Sequence, residues 1–68
     1  MISIVIPTFN EVNNIIPLLK TLIKIVADYD YEIIVVDDDS PDGTSQKIAK
    51  FMEDNKKVKL ITLSLIHI

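Results

Sequence analysis

The feature that most constrains this chain is the order in which its apolar periodicity changes. Short β-branched runs alternate with amphipathic stretches as strand, helix, strand, helix, strand. Ile2 to Ile6 is a compact β-branched run; Pro7 lacks a ladder donor and disfavours helical geometry in the residue before it, so it is expected to end the strand. From about Asn13 to Ala27, Ile15, Leu18, Leu19, Leu22, Ile23 and Val26 recur at helical spacing, with Lys20, Thr21 and Lys24 on the other side. That predicts a helix with one core-facing stripe. Asp28-Tyr29-Asp30 breaks it, and Tyr31 to Val36 then runs almost wholly apolar, the pattern of a strand covered on both faces of its sheet.

The block Asp37-Asp38-Asp39-Ser40-Pro41-Asp42-Gly43-Thr44 gathers turn formers and the chain's one glycine, so it predicts a loop. Asp42 or Thr44 is placed to cap a second helix reaching about Asn55, with Ile48, Phe51 and Met52 on its apolar side and Lys47 and Lys50 toward water. Lys56 and Lys57 suit its C-terminal end. Val58 to Leu63 predicts a third strand, and Ser64 to Ile68 carries no assignment. Strands joined through helices imply right-handed crossovers and a parallel sheet: a Rossmann-like α/β fold, β-α-β-α-β, forming the first half of a doubly wound layer. Such sheets bind ligands outside the carboxyl ends of their strands. Two loops lie there, Pro7 to Glu11 and Asp37 to Thr44.

Composition narrows the chemistry. A 68-residue chain buries only about 60% of the surface its unfolded form exposes. With no Cys and a single His, neither disulfides nor a zinc centre can compensate. A net charge of -3 without any Arg argues against a nucleic-acid partner. The first residues have no basic region ahead of an apolar stretch and meet Pro7 early, so the expected location is cytoplasmic. No apolar run approaches the roughly 18 residues that span a bilayer.

The acidic loop admits two readings from its residues. Adjacent carboxylates repel one another and persist best beside a cation or hydrogen-bond donors. A carboxylate at a strand end suits a ligand with N–H groups, such as the Watson–Crick edge of guanine or the imide of uracil; the bland alternative is a solvated acidic turn. Asp38, Ser40, Asp42 and Gly43 match the opening of an EF-hand calcium loop, but Ala49 stands where its bidentate Glu is required. A phosphate-binding loop needs more glycine than Gly43. His67 has no matched nucleophile. In the first loop, Asn10 can cap a turn and Glu11 favours the coming helix terminus. Functionally, Phe9 offers a ring face to a base or sugar and Glu11 can accept from ribose hydroxyls. The position of both loops at one sheet edge favours a nucleotide crevice.

The segments "SIVIPTFNE" with "NNI", and "YEIIVVDDDSPDGT", resemble the N-terminus of family 2 glycosyltransferases of the GT-A fold, and among them most closely the dolichol-phosphate (polyprenol-phosphate) mannosyltransferases. The resemblance covers residues 2 to about 62. It implies that residues 1–62 are the nucleotide-binding part of a longer domain and 63–68 an atypical tail, pointing to truncation or to non-native sequence from about Leu63 on, since the family turns there into a basic, Gly-containing loop. It further implies transfer of mannose from GDP-mannose to a dolichyl or polyprenyl phosphate with inversion at the anomeric carbon; another family 2 transferase using a UDP-sugar is the alternative. By the same resemblance Pro7, Phe9, Glu11, Val36 and Asp38 line the nucleotide pocket, Asp37 and Ser40 support the second loop, and Asp42 and Thr44 are caps. Phe9 stands where Tyr is usual, and Asp39 and Pro41 where Gly and Thr are common. Mg2+ or Mn2+ is implied for the longer parent, at an Asp-x-Asp motif after a fourth strand, with no metal ligand and no catalytic residue in this stretch, which alone is expected to be inactive. The parent is expected at the cytoplasmic face of a membrane, and the first strand at the centre of the complete sheet. A response-regulator receiver, suggested by residues 31–55 alone, requires an Asp ending the third strand; Ile61 to Ser64 has none.

Overall fold

The computed structural model describes residues 1–38 and 42–63. The elements follow the expected order: β1 (Ile2–Thr8), α1 (Ile15–Val26), β2 (Tyr31–Asp37), α2 (Thr44–Met52) and β3 (Val58–Thr62). They form an open, all-parallel sheet of order β1-β2-β3. Both connections step in the same direction across the sheet. Right-handed crossovers therefore place α1 and α2 on one face.

Register shows which side chains meet there. Ile4 lies opposite Ile33, Ile6 opposite Val35, and Thr8 opposite Asp37; Ile33 and Val35 in turn face Val58 and Leu60. With a side-chain period of two these residues share the covered face. Ile15 and Leu19 from α1 and Ile48 from α2 complete a core with Ile33, Val35 and Val58, all of them buried. Burial of each such side chain stabilises the fold by roughly 1.5–3 kcal/mol. The other face carries Val5, Ile34, Val36 and Ile61, with Val5 60% and Ile61 49% exposed. The apolar run of β2 predicts cover on both faces, whereas the described residues cover one.

Pro7 does not end β1, which continues through Thr8. The reason lies in hydrogen-bond parity. Ile2 N–H donates across the ladder to Asp30 at 2.8 Å, so the N–H groups of Ile2, Ile4, Ile6 and Thr8 point toward β2, while positions 3, 5 and 7 point outward. Among the described strands β1 is the outer one, so proline at position 7 removes no ladder bond. Pro17, likewise, falls in the first turn of α1, where amides have no intrahelical acceptor. The second helix ends at Met52 rather than about Asn55; the amides of Glu53, Asp54 and Asn55 instead close tight turns onto Lys50, Phe51 and Met52.

Candidate functional site

Two carboxyl groups tie together the carboxyl edge of the sheet. The first is Asp37, the last residue of β2 and fully buried. It accepts from Thr8 Oγ1 at 2.8 Å and from Ser45 Oγ at 2.6 Å, joining the ends of β1 and β2 to the first turn of α2. Hydrogen bonds to a charged acceptor contribute about 1.5–3 kcal/mol each, more than neutral ones, and this one is closed off from water. Asp37 is thus a support of the loop.

The second is Asp42. Its Oδ1 accepts from the Thr44 amide at 3.0 Å and from the Thr44 hydroxyl, and its Oδ2 accepts from the Val12 amide at 3.2 Å. Thr44 Oγ1, fully buried, in turn accepts from the Glu11 amide at 3.1 Å. No side chain caps α2, contrary to the expectation for Asp42 and Thr44, because Gly43 takes the N-cap position; together the two residues instead hold two consecutive amides of the first loop. The hydrogen bond from Thr44, with those from the Val12 and Thr44 amides, keeps the Asp42 carboxyl below its ordinary value, against an opposing effect of desolvation. The residue at the N-cap position is Gly43, whose φ of 92° lies in the left-handed region that glycine reaches freely.

The first loop reverses at Asn10, whose φ of 54° is also left-handed, a conformation asparagine tolerates better than most residues. Glu11 follows, held at three points. Its amide donates to Thr44, its carbonyl accepts from the Asn14 and Ile15 amides at 3.0 and 2.8 Å, and its Oε2 accepts from Asn14 Nδ2 at 3.3 Å.

The other expected site residues fall on the same edge. Pro7 and Val36 are register partners on the open face. Phe9 is 54% exposed, leaving its ring available to a ligand. Asp38 is exposed one residue past β2, with its amide donating to the Thr8 carbonyl at 3.0 Å. The carboxyl groups of Asp37 and Asp38 thus divide: one is buried as a brace, the other faces solvent. Asp39, Ser40 and Pro41 lie outside the described residues, as does His67. A shallow depression lined by Ile16, Lys47, Lys50, Phe51 and Asp54 lies between the helices and includes none of these loop residues. Among the described residues no three side chains converge as metal ligands, and no helix is long and apolar enough to cross a membrane.

The family described as Glycosyl transferase family 2 matches residues 3–64, a range that reaches all three strands and both loops. The chain belongs to glycosyl transferase family 2. Similar proteins include a dolichol-phosphate mannosyltransferase of Pyrococcus furiosus, 42% identical over 60 residues, which cover 88% of this chain and 17% of that protein. An uncharacterized glycosyltransferase of Synechocystis is 35% identical over 65 residues, covering 93% of this chain and 20% of the relative. The chain therefore spans about a fifth of the length of the curated relatives it matches. In this family 2 chain, Thr8 and Ser45 are the contributors that sequence reading missed. Both were overlooked because a single hydroxyl carries no periodic signal. The parallel register was the available clue, since it sets the end of β1 beside the end of β2.

Proposed function

We propose that this chain is the nucleotide-binding portion of an inverting glycosyltransferase that moves mannose from GDP-mannose to a dolichyl or polyprenyl phosphate. The observation that carries the reading is the 42% identity, over 60 residues covering 88% of this chain, to a protein named dolichol-phosphate mannosyltransferase. Pro7, Phe9, Glu11, Val36 and Asp38 line the nucleotide pocket. The Phe9 ring stacks on the ligand, Glu11 accepts from ribose hydroxyls, and Asp38 accepts from the base. A carboxylate offers two acceptor oxygens, matching the adjacent N1–H and N2–H of guanine, whereas uracil offers one imide N–H between two carbonyls. That chemistry supports GDP over UDP.

A divalent ion, Mg2+ or Mn2+, belongs to the parent reaction, and the described side chains do not gather to hold one. The reacting groups lie elsewhere in the parent, which works at the cytoplasmic face of a membrane. The test is calorimetric titration of the chain with GDP, UDP and GMP. Saturable binding of GDP in preference to UDP supports the reading; preference for UDP assigns a UDP-sugar donor, and absence of binding to any of them overturns the nucleotide site.

A further inference from the structure

Asp42 and Thr44 sit on the second loop, yet half of their hydrogen bonds reach across to the first. A local turn leading into α2 requires only that Asp42 accept from the Thr44 amide two residues on, which it does through Oδ1 at 3.0 Å. The bonds from Val12 N–H to Asp42 Oδ2 at 3.2 Å and from Glu11 N–H to Thr44 Oγ1 at 3.1 Å serve no capping purpose. They span 33 and 30 residues of sequence and fix the backbone on which the Glu11 carboxyl is mounted. Thr44 is fully buried, so its hydroxyl cannot exchange the Glu11 amide for water. The Asp42 carboxyl is exposed, but it accepts at both oxygens and so holds one orientation.

We propose that Asp42 and Thr44 are positioning residues for nucleotide binding, acting as a clamp that holds Glu11 and Val12 in the geometry the ligand meets. The proposal rests on the nucleotide-site reading above. Neither side chain touches the ligand. The clamp sets the distance between the two loops before the ligand arrives, so the ordering cost is met in folding and not in binding. Releasing it lets the Glu11 turn move independently of Asp38, and affinity falls although every ligand-contacting side chain remains.

Three variants separate the clamp from a local turn. Asp42→Asn keeps an acceptor oxygen for the Thr44 amide, and Asn forms the same local turn as Asp, but its amide nitrogen cannot accept from Val12. Thr44→Val keeps the buried shape and removes the acceptor for Glu11, whereas Thr44→Ser keeps that acceptor. Each is titrated with GDP by calorimetry, with far-UV circular dichroism and thermal melting to establish folding.

The expected result is about a tenfold rise in Kd for Asp42→Asn and for Thr44→Val, near-wild-type Kd for Thr44→Ser, and faster hydrogen exchange at the Glu11 and Val12 amides in the two weakened variants. Wild-type binding with unchanged Kd in folded Asp42→Asn and Thr44→Val overturns the clamp and leaves the nucleotide site standing. Failure of the wild type to bind GDP or UDP overturns both. If Thr44→Val does not fold, Asp42→Asn decides the matter alone.

Discussion

Thr8 and Asp37 are partners twice over: they lie opposite one another in the β1–β2 ladder, and the Thr8 hydroxyl donates to the Asp37 carboxyl at 2.8 Å. Because Ser45 donates to the other oxygen of the same group, three elements meet on a single buried residue. The loops above them start from a fixed base.

Thr8→Val keeps the size and β-branching of the side chain and removes its donor. It should lower stability by roughly 1.5–3 kcal/mol, the value of a hydrogen bond to a charged group. Urea denaturation measures this, and a shift in midpoint with an unchanged slope would identify it as a native-state loss. A change below about 0.5 kcal/mol would mean that Thr8 contributes packing alone.

Gly43→Ala tests backbone conformation without a packing complication, since a Cβ at that position would meet its nearest neighbour, Gln46 Oε1, only at 4.0 Å. The left-handed φ of 92° should nonetheless cost about 1–2 kcal/mol. Thermal melting would register the loss, and a neutral substitution would show that the turn relaxes to another conformation.

Asp38→Asn should invert base preference. Its amide offers one acceptor and one donor, which complements the imide edge of uracil and opposes the paired donors of guanine. The ratio of GDP to UDP affinity is expected to fall about tenfold or more, corresponding to about 1.4 kcal/mol. Equal losses for both nucleotides would remove Asp38 from the base edge and leave it a general electrostatic role.

Protonation of Asp42 should open the loop clamp. Its carboxyl titrates below the ordinary aspartate value because the charged form accepts from Thr44 and Val12. A depressed folded-state value means that this contribution to stability is present above the unfolded value, about 3.9, and is lost as pH falls through the lower folded one. The difference in melting temperature between wild type and Asp42→Asn should therefore stay constant from pH 7 to 5 and shrink below about pH 4. A difference that varies between pH 7 and 5 would point to another group.

The fold was legible because apolar periodicity records which side of each element is buried. Ile15, Leu19, Ile33, Val35, Ile48 and Val58 all announce themselves that way. Strand ends were less so: Pro7 looks like a terminator until the strand's place in the sheet is known, and that place depends on residues far off in sequence. At the site, Phe9 and Asp38 are exposed, as loop positions read from the sequence, whereas the bridging of Asp42 and Thr44 to Glu11 and Val12 could not be inferred from a motif that reads as a helix cap. A cap is local and can be seen in a few consecutive residues. A tie between two loops exists only once the chain has folded.

Proline at position 7 has one more effect, on what can join the sheet. The outward side of β1 presents amide donors at Ser3 and Val5 and none at residue 7. A strand paired along this border meets donors at Ser3 and Val5 and, at residue 7, only a carbonyl acceptor. The ladder on that side therefore has one donated bond fewer beside the mouth where Phe9 and Glu11 stand.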